Sequence, residues 1–131
     1  MTSPLALPPD LEDLAAALVD SAFKVHRTLG PGLLESVYES CLCIELTRRG
    51  ISYERQAPMP LVYEGVNVDG GFRLDLLVER SIVLEIKAVE KLMPIHQSQV
   101  LTYLRLTNLR LGLLINFNVL MFREGVKRIV L

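Results

Sequence analysis

The chain holds only two cysteines and two histidines in its 131 residues, and both shortages exclude chemistry. Cys41 and Cys43 stand two apart in a helical pattern and point to different sides, with no further Cys or His at zinc-ligand spacing. Neither has an activating neighbour, so a nucleophilic thiol is as poorly supported as a zinc centre, and buried free thiols in a reducing cytoplasm are the expectation. Two histidines are too few for a His-rich metal site. Apolar runs stop well short of the roughly 18 residues a membrane span needs. The N-terminal segment also lacks the basic stretch and apolar core of an export signal. Excess positive charge is missing as well: 14 Lys and Arg against 15 Asp and Glu leave a formal net charge of -1, which gives no global attraction to nucleic acid. Gly30-Pro31-Gly32 lacks the Lys-Ser/Thr ending of a phosphate-binding loop, and no serine nucleophile elbow is present.

What is present suits one compact domain, with 50% hydrophobic and 22% charged residues. Residues 1–9, with three prolines, are expected to be a flexible lead-in, and 10–131 a single domain. Asp10 is the expected N-cap of a helix over Leu11 to Thr28, which Gly30-Pro31-Gly32 stops, and a second helix fits Leu33 to Arg49 before Gly50. Ile51 to Gln56 and Met59 to Tyr63 read as strands parted by Ala57 and Pro58, with Glu64 to Gly71 as a turn. Two further strands, Phe72 to Val78 and Ile82 to Lys87, precede a helix over Ile95 to Thr107. A strand from Leu111 to Phe117 follows, then short strands Val119 to Arg123 and Val126 to Leu131. The order predicts an α/β fold with a mixed central sheet flanked by helices.

The densest chemistry lies in the hairpin. Alternation puts Phe72, Leu74, Leu76 and Val78 on one face, with Arg73, Asp75 and Leu77 on the other. Ile82, Leu84 and Ile86 likewise oppose Val83, Glu85 and Lys87. Burying both apolar sets together pairs Leu74 with Ile86, Leu76 with Leu84 and Val78 with Ile82 across Glu79-Arg80-Ser81. Asp75 then faces Glu85, about 5 Å away between Cβ atoms, with Lys87 beside them. Opposed carboxylates need a counter-charge, from a cation or from Lys87.

Asp75 on one strand, Glu85-Ile86-Lys87 on the next and a helix with Gln99 after it resemble the PD-(D/E)xK nuclease superfamily, with Leu74 where the name has proline. Gly32-Leu33-Leu34-Glu35-Ser36-Val37-Tyr38 further resembles the signature of the GxxExxY proteins within it. The resemblance implies a restriction-endonuclease-like core and a nuclease dependent on Mg²⁺ or Mn²⁺ that hydrolyses DNA or RNA. It makes Asp75 and Glu85 the metal ligands, Glu35 a further or water-mediated ligand supported by Tyr38, Lys87 the residue that orients or deprotonates water, and Gln99 a contact to phosphate or water.

The remaining candidates read more plainly. Glu39, Glu90 and Lys91 are expected to be solvated, Tyr103 to pack, and His96 to cap its helix or lie on the surface. Arg73 shares the expected site face. So small a core suggests a homodimer or a partner protein supplying recognition, with the C-terminal strands offering an edge. A non-catalytic binding or assembly module keeping this fold is the alternative function, and a hydrolase of nucleotides or small phosphates the third.

Overall fold

The computed structural model describes residues 6–131. Residues 1–5 of the expected lead-in lie outside the described residues, and helix α1 (Pro9–Leu29) begins at its last position. Proline suits a first helical turn because it has no N–H to leave unpaired. Asp10 therefore sits inside that turn, near the positive end of the helix dipole, and does not act as the cap. Gly30 ends α1 in the left-handed region at φ 72°. Helix α2 (Glu35–Arg48) starts at Glu35, two residues later than expected.

Strands β1 (Tyr53–Tyr63), β2 (Val66–Val78), β3 (Ile82–Lys87), β4 (Leu111–Asn116) and β5 (Val126–Val130) form one sheet in the order β1-β2-β3-β4-β5. Only β3 and β4 run parallel, because helix α3 (Pro94–Thr107) carries the chain back between them. The expected mixed sheet with helical cover is thus formed. Leu76, Val78, Ile82, Leu84 and Ile86 pack with α1 and α2, while Leu77, Val83 and Leu114 pack under α3 through Val100 and Leu104. Both faces are covered, so Leu77 and Val83, expected on a non-core face, are buried.

Several boundaries differ from expectation. β1 is one strand, since an edge strand tolerates Pro58 and Pro60 and Ala57 pairs with Leu74. The turn over Glu64 to Gly71 shrinks to Glu64 and Gly65, at φ 47° and 82°, as two left-handed residues close a tight hairpin. Gly70 and Gly71 instead accommodate the register shift between Met59 and Leu61, where a Cβ on Gly71 would lie 2.0 Å from the Met59 carbonyl oxygen. Val119 to Arg123 is no strand. Phe122, within a 3-10 turn over Phe122–Gly125, turns inward against Phe23 and Phe117, at ring distances of 5.6 and 6.4 Å.

The hairpin keeps the expected register, but its ladder is shorter than expected. Val78↔Ile82, Leu77↔Val83 and Leu76↔Leu84 pair, and the ladder stops there without Leu74↔Ile86. Leu74 packs on the α3 side with Leu77, opposite the face expected from its parity with Leu76. On the other flank Gln56 adopts φ 51° in mid-strand, and the β1–β2 ladder skips from Arg55↔Leu76 to Ala57↔Leu74. Both strands change face at the same step, which opens a fork at Asp75.

Candidate functional site

The fork replaces ladder bonds with side-chain bonds. The Asp75 N–H donates to Glu85 Oε1 at 3.1 Å, and the Ile86 N–H donates to Asp75 Oδ2 at 2.9 Å. Glu85 is only 4% exposed, and burial together with the charge of Asp75 pushes its pKa up to about 8. Lys87 is the nearby cation that opposes the rise. Its Nζ donates to Gln99 Oε1 at 3.2 Å, so Gln99, one turn into α3, holds the lysine head toward the acids.

Glu35 reaches the same place from α2. The turn before it is built by Tyr38, fully buried and stacked on Phe117 at 4.7 Å, whose hydroxyl donates to the Gly30 carbonyl at 2.6 Å and accepts from the Leu33 N–H at 3.1 Å. Tyr38 thus supports Glu35 through the backbone and not by touching it. The Glu35 carboxylate accepts from the Ala88 N–H; burial first, then Asp75, raises its pKa, and Lys87 opposes the rise. Among the described residues, no three His, Cys, Asp or Glu side chains come together closely enough to hold a metal ion, so Glu35 does not close a three-ligand set with Asp75 and Glu85. A depression of about 360 Å³ lined by Leu34, Glu35, Ser36, Glu39 and Gln56 opens beside the acids.

Several residues assigned plainer roles, or none, belong to this neighbourhood. Glu39, expected in solvent, is buried; its carboxylate accepts from Arg55 Nε and from Gln56 Nε2, both at 2.7 Å. Gln56 Nε2 also reaches Asp75 Oδ1 at 3.5 Å, which links the two carboxylates. The only sequence signal for Glu39 was its place one turn after Glu35 on the same helical face. Tyr103 packs as expected, stacked on Phe72 at 5.2 Å, and also hydrogen-bonds Gln99; burial, then the charges of Glu85 and Asp75, raises its pKa. Asn116, buried at the end of β4, donates to the Val89 carbonyl and accepts from the Val89 N–H, pinning the loop after Lys87. His96 caps α3, its Nδ1 accepting from the Met93 N–H at 2.9 Å. Arg73, Glu90 and Lys91 take no part in the fork's hydrogen bonds.

The donors at the fork are hard carboxylate oxygens, and Glu85 is a buried acid with too little positive charge around it. Such a set fits a hard divalent cation, which prefers oxygen and would lower the cost of ionising Glu85.

A five-stranded mixed sheet covered by three helices, with an acid pair and a lysine at the fork of its central hairpin, defines an α/β domain of the restriction-endonuclease-like class. The chain belongs to the PD-(D/E)XK nuclease superfamily, whose family model matches residues 12–129. No curated protein and no solved structure matches it.

Proposed function

We propose that this chain is a divalent-metal-dependent nuclease that hydrolyses phosphodiester bonds in DNA or RNA, and that it belongs to the GxxExxY group of its superfamily. The observation that carries the reading is the pair of carboxylates at the Asp75–Glu85 fork, each bound to a main-chain N–H of the other's strand, with Glu85 buried and Lys87 beside it. The group assignment is supported by the turn that Tyr38 holds through Gly30 and Leu33, which presents Glu35 to Lys87 and Asp75. Superfamily membership supports a nucleic-acid substrate and a divalent ion. No helix among the described residues is long and apolar enough to cross a membrane, and the free thiols of Cys41 and Cys43 agree with a cytoplasmic setting.

Asp75 and Glu85 would hold Mg²⁺ or Mn²⁺, with Glu35 acting through a water. When bound, such an ion polarises the phosphoryl group and makes the attacking water more acidic. Lys87, steadied by Gln99, keeps ammonium protons free to orient that water and to stabilise the negative charge that builds on the phosphoryl oxygens. Glu35, its carboxyl held by Ala88 and its pKa raised, is placed to accept the water's proton. The Gln56–Glu39–Arg55 group holds Asp75 from behind.

Calorimetric titration of Mg²⁺ and Mn²⁺ into wild type and Asp75→Ala, beside cleavage assays on single- and double-stranded DNA and RNA, tests this. Metal binding and cleavage lost together in the variant are the expected result. Absence of metal binding at millimolar ion would remove the nuclease reading and leave the non-catalytic binding module, which the net charge of -1 favours.

A further inference from the structure

The elements around the fork are short of positive charge. Helix α2 has no Lys or Arg from Glu35 to Thr47, the β1–β2 hairpin none from Gln56 to Phe72, and α3 none from Pro94 to Leu104. Arg55 is committed to Glu39. Lys87 in the site and exposed Arg73 and Lys91, on the chain segments flanking it, are the exceptions. A duplex is held by cations that follow its phosphates, each contact adding to the salt dependence. No such track runs along these three elements.

What the site has instead is aromatic. Lys87 Nζ donates to Gln99 Oε1 at 3.2 Å, and Gln99 also hydrogen-bonds the Tyr103 hydroxyl one turn further along α3. The Tyr103 ring stacks on Phe72 at 5.2 Å, with 19° between the planes. Phe72 stands three residues before Asp75 on β2, and the charges of Glu85 and Asp75 are felt at the Tyr103 hydroxyl. The row Lys87, Gln99, Tyr103, Phe72 is therefore continuous with the acids. Both rings rest on the α3-side core and stay partly exposed. An aromatic pair open to solvent beside a lysine suited to phosphate has the form of a stacking platform for a nucleobase, and stacking supplies affinity that cations here do not.

We infer that the substrate is single-stranded nucleic acid, and that a base next to the scissile phosphate stacks on the Phe72–Tyr103 pair while Lys87 holds the phosphate. A base inside a duplex is stacked on its neighbours and reaches a protein ring only after it is unpaired and extruded. A single strand offers the same face at little cost. Every base has such a face, so cleavage with little sequence preference follows. The inference rests on the nuclease reading for the reaction and adds to it a strand type and a subsite.

Fluorescence of 2-aminopurine, which is quenched when the base stacks, tests this in short single-stranded oligothymidylate and oligouridylate carrying one such base. Titrations are run in Ca²⁺, an oxygen-seeking ion whose bound water is less acidic than that of Mg²⁺, beside cleavage of single strands and duplexes in Mg²⁺. Wild type is expected to quench the single strand and to cleave it in preference to the duplex. Tyr103→Leu and Phe72→Leu should each bind it about 5–150-fold more weakly, with quenching reduced and KM raised. Metal binding by calorimetry should be kept in both, which separates loss of the platform from loss of the fold. Tyr103→Phe, which keeps the ring, should still quench. Quenching needs no turnover, so failure of catalysis and failure of stacking are read separately. A chain that cuts duplex as readily as single strand and leaves 2-aminopurine bright overturns the inference while the nuclease reading stands. Leu variants that bind and quench like wild type overturn it as well.

Discussion

Asp75 and Glu85 each hold the strand of the other, the Asp75 N–H bound to the Glu85 carboxylate at 3.1 Å and the Asp75 carboxylate bound to the N–H of Ile86, next to Glu85, at 2.9 Å. These bonds stand where the β2–β3 ladder ends at Leu76↔Leu84. Each acid thus satisfies a main-chain donor that the open fork would otherwise leave unpaired. The site and the fold share the same atoms, and stability reports on the acids directly.

That coupling gives a pH dependence with a definite sign. The Glu85 pKa is about 8 in the folded protein against 4.5 for an ordinary glutamate. Below pH 4.5 both states are protonated and the contribution of Glu85 is complete. From there to about pH 8 the folded protein keeps a proton the unfolded chain releases, so stability falls as pH rises and levels off above the upper value. Denaturation midpoints measured across this range without metal should decline in wild type and flatten in Glu85→Gln, whose amide oxygen can still accept from Asp75. An unchanged slope in the variant would assign the decline to other groups.

Gln56 offers a separate test, of backbone strain against side-chain bonding. Its φ of 51° is uncommon for a residue with a side chain, and its amide bridges Glu39 and Asp75. Left-handed backbone costs an L-residue about 1–2 kcal/mol, comparable to the hydrogen bonds it secures. Gln56→Gly, which removes both, should change stability by less than about 1 kcal/mol. Gln56→Val keeps the strain, adds β-branching and loses the bonds, and should cost about 2–4 kcal/mol. Urea denaturation of the two variants decides; equal losses would mean that strain plays no part.

The order of elements and the meeting of Asp75, Glu85 and Lys87 were legible because period-two alternation and glycine stops are local signals. The fork was not. Alternation assumes an unbroken ladder, and the face change at Asp75 depends on the left-handed turn of Gln56 on a neighbouring strand nineteen residues earlier in the chain. Glu39 escaped for a similar reason: its partners Arg55 and Gln56 lie on β1, and nothing in the helix marks a buried glutamate. Turns were misplaced where glycine served close approach, as at Gly71 against Met59, instead of reversal.

Lys87 and Gln99 separate charge from placement. Lys87→Met should lower cleavage by about 10²–10⁴-fold, the usual range for a group acting on a proton or developing charge. Metal binding by calorimetry should be kept or strengthened, because the cation removed opposes the ion. Gln99→Leu leaves the ammonium in place without its 3.2 Å acceptor, so a smaller loss confined to turnover is expected. Metal binding abolished by Lys87→Met would show the lysine to be a support of the acids rather than a participant in hydrolysis.

Tyr38→Phe isolates the turn that delivers Glu35. The ring remains free to stack on Phe117, but the hydroxyl that binds Gly30 and Leu33 is lost from a fully buried position, leaving the Leu33 N–H without that acceptor. A loss of about 1–3 kcal/mol follows from the buried groups left unsatisfied. Because Tyr38 does not touch the acids, its effect on chemistry runs only through the position of Glu35. Cleavage should therefore fall in Tyr38→Phe, and adding Glu35→Gln to it should cost little beyond Glu35→Gln alone. Additive losses in this double-mutant cycle would show that the tyrosine acts on the site by another route.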